Sequence, residues 1–321
     1  MSIQGKHVLV TGGAGFIGSN IVEKLLDNGV LVTVLDNLST GKIENIEEFS
    51  MNPNFKFIKG DICDFDTCLE ALNGIDFVCN QAALGSVPRS IEFPHNSHAV
   101  NATGFLNMLH AAKEKGIKRF VYASSSSVYG DSPISPKVEG EEGNLLSPYA
   151  VTKQLNEKYA KVYSQLHGME TIGLRYFNIF GPKQDPNGVY AAAIPKFIAR
   201  LKIDDDVIIH GDGLQTRDFT YVKNAVQANF LSLFSEKNEG KGHVFNVACN
   251  DSFTLIHVVD SLKKGLSSIG VNSSSNVVFG PERPGDIKHS LANIGAIENY
   301  LGYKPLYTFQ EGVNEYIESM K

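Results

Sequence analysis

Tyr149 and Lys153 are the residues of this chain whose types and spacing could together perform chemistry. They stand four positions apart, downstream of a run of serines at 124–127, and residues four apart on a helix share one face. A tyrosine phenol has a pKa of about 10 and is a poor base at neutral pH unless a neighbouring positive charge lowers that pKa. A phenol, an ammonium and a hydroxyl therefore predict proton transfer at an alcohol whose carbon is oxidised or reduced. On this short pattern alone, an ordinary amphipathic helix is the alternative.

The first twenty residues predict a nucleotide site. A short apolar run at 7–11 is followed by the glycine-rich segment 12–18 and then by a helix-like segment, which is the order that a dinucleotide fold requires. Gly12 would allow the tight turn, Gly15 would let the backbone approach a pyrophosphate, and Gly18 would let the helix pack closely on the strand. The helix N-terminus would add amide donors and the positive end of a dipole. A glycine-rich hairpin is the other interpretation.

A second apolar run at 31–35 ends at Asp36, where a carboxylate can accept hydrogen bonds from both ribose hydroxyls of adenosine. Asn37 and Leu38 follow it and carry no positive charge for a 2′-phosphate, which favours NAD over NADP. Asp36 could instead cap the following turn. A third strand at 55–59 leads to Asp61 and Ile62, which could flank an adenine ring.

Composition excludes several classes of function. The 321 residues carry a net charge of −6, which argues against a nucleic-acid or anionic-membrane partner. The four cysteines form no Cys-x-x-Cys pair and the nine histidines no His-x-x-x-His spacing, so we expect neither a disulfide framework nor a metal site. No charged-then-apolar leader precedes the first strand, and no apolar run approaches the roughly 18 residues that span a bilayer. We therefore expect a cytoplasmic protein without membrane attachment.

Strand-like and helix-like segments alternate along the first 180 residues. Further strands are expected at 76–80, 119–123 and 171–175, and helices at 99–115 and 149–166. This alternation predicts an α/β fold, a doubly wound parallel Rossmann sheet with helices on both faces. Ligands bind beyond the carboxyl ends of such strands. One crevice could thus hold the residues that follow strand ends, which are Gly12, Asp36, Gln81, Ser125 and Asn178.

The pattern loosens after residue 180. We expect 1–180 to form the NAD-binding domain and 181–321 a smaller α/β region that binds the substrate, with segments near 218–248 returning to the main sheet. The stretch 265–275 is rich in Ser and Gly and is expected to be a surface loop.

The combined motifs resemble the extended short-chain dehydrogenase/reductase superfamily, and within it the nucleotide-sugar 4-epimerases. The resemblance covers essentially the whole chain, and residues 81–90 are similar to those of bacterial UDP-N-acetylglucosamine 4-epimerases. It is carried by the segments 11–18, 36–37, 61–62, 81–83, 126–130, 149–153, 175–178, 211–213, 217–219 and 283–286. Asn80 departs from the superfamily, in which histidine is frequent before the x-Ala-Ala motif.

The resemblance implies a mechanism and a cofactor site. Tyr149 would take the proton from the sugar 4-hydroxyl while hydride passes from C4 to tightly held NAD, and the 4-keto sugar would turn over and be reduced on its other face. Ser125 would hydrogen-bond the reacting oxygen beside Ser126, and Lys153 would also hold the nicotinamide ribose. The residues expected to bind the cofactor are Gly12, Gly15, Phe16, Ile17, Gly18, Asp36, Asn37, Ser39, Gly41, Asp61, Ile62, Gln81, Ala82, Ala83, Tyr149, Lys153 and Tyr176.

Substrate binding requires local positive charge for a diphosphate, because the chain as a whole is acidic. Arg217 and Arg283 are the candidates, since guanidinium groups bind phosphate oxygens in a bidentate manner, although either could be a surface ion-pair residue. The resemblance assigns Asn178 to the sugar nucleotide and Asp286 to the uridine ribose. The residues expected to bind the substrate are Gly85, Ser86, Arg89, Ser125, Ser126, Asn178, Ala192, His210, Arg217, Arg283, Asp286 and Ser290.

Ser290 bears on which sugar fits. In galactose epimerases of this group a bulky residue at the corresponding position excludes an N-acetyl group at C2, and serine leaves room for it. The resemblance thus implies interconversion of UDP-GlcNAc and UDP-GalNAc, with the UDP-glucose and UDP-galactose pair as an open additional substrate. It further implies a homodimer formed through the helices at 99–115 and 149–166.

Three alternative functions compete with UDP-N-acetylhexosamine 4-epimerisation. Sugar-nucleotide 4,6-dehydratases share Tyr and Lys but carry an Asp-Glu pair where this chain has Ser126 and Ser127, so their acid and base for water loss are missing. Epimerases of UDP-glucuronate or UDP-N-acetylglucosaminuronate have a similar serine-rich loop and are the main enzymatic alternative. A noncatalytic NAD-binding scaffold is the third, and it is disfavoured because Tyr149 and Lys153 are both present.

Overall fold

The computed structural model describes residues 3–187, 191–236, 241–282 and 288–321. Its strands are β1 (His7–Thr11), β2 (Leu31–Asp36), β3 (Phe55–Lys59), β4 (Phe77–Asn80), β5 (Arg119–Ser125), β6 (Glu170–Tyr176), β7 (Ile179–Phe180), β8 (Val207–His210), β9 (Thr216–Arg217), β10 (Thr220–Tyr221), β11 (Lys241–Val247), β12 (Phe253–Thr254), β13 (Val277–Gly280) and β14 (His289–Ser290). Its α-helices are α1 (Phe16–Asp27), α2 (Phe65–Ala71), α3 (Val87–Glu92), α4 (Pro94–His98), α5 (Phe105–Glu114), α6 (Pro148–His167), α7 (Ala193–Lys202), α8 (Val222–Phe234), α9 (Leu255–Ser268), α10 (Gly295–Leu301) and α11 (Phe309–Glu318).

Seven strands form one parallel sheet in the order β11-β6-β5-β4-β1-β2-β3. Thr11 is paired with Leu35 on one side and with Asn80 on the other, and Ser125 is paired with Tyr176. The carboxyl ends of these strands therefore meet at one edge of the sheet. The predicted Rossmann-like α/β fold is confirmed.

Helices cover both faces of this sheet because successive side chains of each strand point to opposite sides. Val8 and Val10 belong to a core cluster with residues of α1 and α8, whereas Leu9 belongs to a second cluster with residues of α2 and α5. Each strand is thus apolar on both faces, as expected for a parallel sheet with two covered faces.

The helix that carries Tyr149 is α6, which begins one residue before the predicted start. The Ser147 hydroxyl accepts from the Ala150 amide at 3.2 Å, Pro148 occupies the first turn, and Gly168 ends the helix with a φ of 68°. A serine cap, a first-turn proline and a left-handed glycine are strong helix boundaries, so both ends of α6 are fixed locally.

The helix predicted at 99–115 is not uniform. Residues Ala99–Gly104 form a π-helix and only Phe105–Glu114 is α-helical. The Asn101 side chain accepts from the Leu84 amide at 2.7 Å and donates to the Leu84 carbonyl at 3.1 Å. A Cβ atom on Gly104 would lie 2.7 Å from the Ile62 side chain. The wider turn therefore lets this segment contact the loops that follow β3 and β4.

The C-terminal part adds one strand to the main sheet and builds small sheets outside it. β11 pairs with β6 in parallel, while β12-β9-β14, β10-β7 and β13-β8 form separate short sheets. The prediction of a surface loop at 265–275 is wrong for residues 265–268, because α9 continues to Ser268. A Cβ atom on Gly265 would lie 2.4 Å from Ile317, so this glycine allows α9 and α11 to pack closely. Within the described ranges, no helix has the length and apolar character needed to cross a membrane.

Candidate active site

A cavity of about 410 Å³ lies at the edge where the strands of the main sheet end. Every residue expected to bind the cofactor lines it, as do Gly85, Arg89 and Ala192 from the expected substrate set. The volume is within the range of sites for small organic ligands. We call it the main cavity.

The glycine segment forms one wall of the main cavity. Gly12 has a φ of 67°, and a Cβ atom there would lie 2.7 Å from the backbone of Ala82. A Cβ atom on Gly18 would lie 2.2 Å from the Gly12 carbonyl oxygen. Gly15 caps α1 without any side-chain hydrogen bond, and the first turn of α1 carries no acidic residue. The free amides of this twelve-residue helix can therefore receive a phosphate group.

Asp36 is held at the end of β2 by two backbone amides. Its carboxylate accepts from Ala14 at 3.0 Å and from Leu38 at 2.8 Å, and a Cβ atom on Gly41 would lie 3.0 Å from the same carboxylate. Asn37 donates to Asp61 at 2.8 Å, which links the loops after β2 and β3. These contacts fix an acceptor in the cavity wall with room beside it, and a dinucleotide ribose needs that arrangement.

A hydrogen-bonded set of side chains closes the floor of the main cavity. Tyr176 donates to the Gln81 side chain at 3.0 Å, while Asn229 of α8 donates to the Tyr176 hydroxyl at 2.7 Å. Gln81 in turn donates to Asn229 at 3.1 Å. The polar groups of Gln81 and Tyr176 are thus oriented by protein partners.

Tyr149 and Lys153 meet inside the main cavity, one turn apart on α6. The Lys153 ammonium donates to the Ala123 carbonyl at 2.8 Å and lies 5.8 Å from the centre of the Tyr149 ring. Burial lowers the pKa of Lys153 to about 8, and Glu157 opposes that shift. Burial raises the pKa of Tyr149, and a hydrogen bond from Ser125 lowers it. The expected net lowering of the Tyr149 pKa is wrong for the protein alone, because burial dominates and the Lys153 ammonium donates to the backbone of β5.

The serine run divides into different roles. Ser125 hydrogen-bonds the Tyr149 phenol and its hydroxyl accepts from the Ser127 amide at 3.2 Å. Ser124, which sequence reasoning did not select, lines the main cavity and is buried. Ser126 begins a short 3-10 helix (Ser126–Tyr129), and neither Ser126 nor Ser125 is among the residues that line the main cavity. In the sequence, four consecutive serines look alike. In the structure, successive side chains at the end of β5 point to opposite faces of the sheet, and this separates Ser124 from Ser125.

Several expected substrate residues lie outside the main cavity. Ser86 caps α3, its hydroxyl accepting from the Arg89 amide at 3.1 Å. Asn178 has a φ of 38° and donates to the Asp218 carbonyl at 3.3 Å. Arg217 donates to the Thr216 carbonyl at 2.8 Å and is paired with Ser290 of β14. Arg283 and Asp286 fall outside the described residues.

His210 lines a second cavity of about 190 Å³, which we call the His210 cavity. The two cavities adjoin, because Ala191 lines both of them. The His210 ring is held by the Pro281 carbonyl at 3.1 Å. The other lining residues are Ala193, Lys196, Phe197, Arg200, Ile208, Ile209, Gln215 and Leu255.

The main cavity also includes residues that sequence reasoning missed. They are Leu35, Thr40, Gly60, Leu84, Val100, Ala123, Ser124, Gln184, Asp185 and Ala191. Thr40, Gly60 and Leu84 are neighbours of predicted residues on the same loops, and Leu35, Ala123 and Ser124 lie near the carboxyl ends of β2 and β5, so their positions could have indicated them. Gln184 and Asp185 could not be found in this way, since the segment after β7 reaches the cavity only through tertiary packing. Among the described residues, no cluster of three or more His, Cys, Asp or Glu is arranged to hold a metal ion.

A parallel sheet with a glycine cradle at a helix N-terminus, an acidic residue at the end of β2 and a Tyr–Lys pair in the same cavity defines an NAD-binding oxidoreductase-type site. The chain belongs to the NAD dependent epimerase/dehydratase family, whose model matches residues 8–248. Its cofactor is NAD.

Similar proteins are known over almost the whole length. A putative UDP-glucose 4-epimerase of Methanocaldococcus jannaschii is 37% identical over 98% of this chain and 98% of its own. The solved UDP-N-acetylglucosamine 4-epimerase of Methanobrevibacter ruminantium M1, in complex with UDP-N-acetylmuramic acid, is 40% identical with a TM-score of 0.91, covering 99% of this chain and 98% of its own. The UDP-glucuronic acid 4-epimerase of Bacillus cereus, solved with UDP-glucuronic acid and NAD, is 30% identical with a TM-score of 0.87, covering 98% of this chain and 100% of its own. These similarities support an NAD-dependent nucleotide-sugar epimerase.

Proposed function

We propose that this protein is a UDP-N-acetylglucosamine 4-epimerase that interconverts UDP-GlcNAc and UDP-GalNAc. The observation that carries the proposal is that Tyr149 and Lys153 line the same cavity as the glycine cradle, with Ser125 hydrogen-bonded to the Tyr149 phenol. It supports a proton-transfer pair next to the NAD site. The 40% identical structure of the Methanobrevibacter epimerase supports the choice of a UDP-sugar.

The residues of this chain can perform the proton transfers of a 4-epimerisation. Tyr149 takes the proton of the sugar 4-hydroxyl at its phenol oxygen, and Ser125 holds the reacting oxygen in place. The chemistry that NAD would supply when bound is reversible acceptance of the C4 hydride, with return to the opposite face of the sugar, and its positive charge would favour the phenolate of Tyr149. Lys153 adds a second positive charge and a donor for a ribose hydroxyl. Tyr149 then returns the proton, so no net oxidation occurs.

The His210 cavity is the proposed site of the nucleotide end of the substrate. It adjoins the main cavity at Ala191 and contains the apolar side chains of Phe197, Ile209 and Leu255, against which a flat base can pack. Substrate groups would thus extend from the Tyr149 hydroxyl past Ala191 and Ala192 to His210. The proposed smaller substrate region at 181–321 supplies this second cavity.

The proposed sugar specificity depends on Ser290. Ser290 is buried and pairs in register with Arg217, which is the proposed diphosphate ligand. A small side chain at that place leaves space for an N-acetyl group at C2 of the sugar. Acceptance of the plain UDP-glucose and UDP-galactose pair is compatible with the same space, because a smaller group at C2 also fits.

Epimerisation of a UDP-uronate is the second candidate. It is favoured by the 30% identical UDP-glucuronic acid 4-epimerase. The main cavity includes Arg89, whose guanidinium could face a C6 carboxylate.

The test is product analysis by proton NMR after incubation of the purified protein with UDP-GlcNAc, UDP-glucose and UDP-glucuronate in separate samples. Conversion of UDP-GlcNAc to UDP-GalNAc is the expected result, and conversion of UDP-glucuronate alone would favour the second candidate. Ser290→Tyr should abolish turnover of the N-acetylated pair before that of the plain pair, whereas Ser290→Ala should leave both. Mass spectrometry of the denatured protein should show released NAD.

A further inference from the structure

Behind Lys153 lies a buried ion pair that the proposed chemistry does not use. Glu157 of α6 accepts two hydrogen bonds from Arg175 of β6, from Nε at 2.9 Å and from Nη2 at 2.8 Å. The side chains of Glu157 and Arg175 are only 9% and 3% exposed. Isolation of two charges from water costs free energy that a single good contact does not always recover. A buried pair of this kind is therefore weak evidence for a stabilising role and raises the question of what else it does.

The pair is connected to the main cavity by one hydroxyl. Ser124 lines the cavity and donates to Glu157 at 2.6 Å. Glu157 stands four residues after Lys153, so both side chains lie on the same face of α6. The Lys153 ammonium donates to the carbonyl of Ala123, the residue before Ser124. Glu157 thus contacts the same end of β5 that holds Lys153.

Other charged and titratable groups surround this carboxylate. Glu142 forms an ion pair with Arg175 at 2.5 Å, and Tyr129 stacks on the guanidinium at 4.8 Å. Burial raises the pKa of Glu139, which also lies near Arg175. Burial and the charge of Glu157 raise the pKa of Tyr122 well above its usual value. On α6 itself the groups facing Lys153 are Tyr149 and Glu157.

We propose that Glu157 is a positioning residue that keeps Lys153 charged and fixes its ammonium against the end of β5. This inference rests on the proposed function. Without a carboxylate one turn away, a cation in this water-poor site would lose its proton at neutral pH. A neutral Lys153 could not stabilise the negative charge of the Tyr149 phenolate. It would also donate a weaker hydrogen bond to a ribose hydroxyl.

The electrostatic balance of Lys153 agrees with this role. Burial lowers the pKa of Lys153 to about 8. The negative charge of Glu157 acts in the opposite direction and raises that pKa. Removal of that charge should lower the Lys153 pKa further, by about one unit or more if the effect is typical of a nearby opposite charge. Lys153 would then be largely neutral at pH 7.5.

The experiment is NMR titration of lysine Nζ in 15N-lysine-labelled protein, with the Lys153 signal assigned from its absence in Lys153→Met. Glu157→Gln should lower the titration midpoint of Lys153 by about one pH unit or more. Glu157→Asp, which keeps the charge, should leave it within about half a unit of the natural protein. In parallel, the alkaline limb of kcat against pH should move to lower pH in Glu157→Gln while KM for the UDP-sugar changes less than threefold.

Glu170→Gln is the matched control. Glu170 accepts from the Arg119 Nε at 2.7 Å, and these residues begin the same two neighbouring strands, far from the cavity. Its removal breaks an ion pair of similar kind and should not move the Lys153 midpoint. If Glu157→Gln does not fold, the double variant Glu157→Gln/Arg175→Gln removes both buried charges, and it should also lower the midpoint.

An unchanged Lys153 midpoint in a folded Glu157→Gln or double variant would overturn the inference, as would equal shifts in Glu157→Asp and Glu157→Gln. The titration needs no substrate. Absence of epimerase turnover would therefore contradict the proposed function alone, and the NMR result would still decide the role of Glu157.

Discussion

The Lys42 ammonium lies 3.0 Å from the Asp185 carboxylate and joins two segments that line the main cavity. Thr40 and Gly41 precede Lys42 in one segment, and Gln184 precedes Asp185 in the other. Lys183 adds contacts from the second segment, donating to the Asn45 carbonyl at 3.2 Å and to Glu48 at 3.0 Å. The segment after β7 is thus held against the loop after β2, beside the proposed NAD site.

Lys42→Ala should speed the loss of NAD from the protein. Lys42 and Asp185 are 52% and 41% exposed, and exposed pairs contribute about 0.2–1 kcal/mol, so we expect an increase of at most about fivefold. The measurement is NAD release after dilution, followed by fluorescence or mass spectrometry. Lys6→Ala, which removes an exposed pair with Asp76, should have no effect. Equal release rates in the two variants would show that the Lys42 contact does not retain the cofactor.

Tyr149→Phe should reduce kcat by about 10²–10⁴-fold, which is the usual contribution of a positioned acid–base group, while bound NAD stays at the natural level. Steady-state kinetics and the absorbance of denatured samples measure the two quantities. Tyr163→Phe is the control, because Tyr163 lies on the same helix and contacts His110 at 3.1 Å outside the cavity. Turnover that survives Tyr149→Phe unchanged would favour a different catalytic residue.

The pH dependence of kcat should show a loss of activity on the alkaline side with a midpoint near pH 8. Burial lowers the pKa of Lys153 to about 8, and the ammonium form is the one proposed to act. The ammonium fraction falls as the pH rises through that value, so activity falls in the same direction. Initial rates at saturating UDP-sugar between pH 6 and pH 10 test this, and a plateau extending to pH 10 would contradict it.

Lys153→Met should make the protein inactive but more stable at neutral pH. The pKa of Lys153 is lower in the folded chain than in the unfolded chain, so unfolding binds a proton between about pH 8 and pH 10.4. Stability from this group therefore rises with pH across that window and is at its lowest below pH 8. Replacement by an apolar side chain should raise stability at pH 7 by on the order of 1–3 kcal/mol, seen as a higher Tm. A lower Tm would mean that the hydrogen bond to Ala123 contributes more than burial costs.

The cofactor half of the site could be predicted from sequence because each part of it is local. Gly12 and Gln81 each follow a strand directly and Asp36 ends one, and a parallel sheet brings all strand ends together whatever the details of packing. The prediction of Tyr149 and Lys153 as a pair required only their four-residue spacing on a helix. These predictions depend on periodicity and on turn residues, which are properties of short segments.

The substrate half could not be predicted to the same extent because it depends on pairing between distant segments. Arg217 pairs with Ser290, which stands 73 positions later in the sequence. No local sequence pattern indicates that register. Glu157 was missed because a Glu on a helix is usually exposed, and only the approach of Arg175 from β6 reveals its burial. The split of the serine run into Ser124 and Ser125 likewise depends on the strand direction at the end of β5.

The face of α6 that looks away from the sheet should form a contact between two copies of this chain. Val151, Val162 and Leu166 are 50%, 46% and 71% exposed, and their spacing places them on one side of the helix. An apolar row of this kind on a surface helix is typical of an interface, in agreement with the homodimer expected from the resemblance. Leu166→Glu should convert a dimer to a monomer in light scattering, because a buried unpaired charge opposes association. Leu306→Glu, at a residue that is 62% exposed elsewhere, should leave the dimer intact. A natural protein that is monomeric at micromolar concentration would refute this prediction.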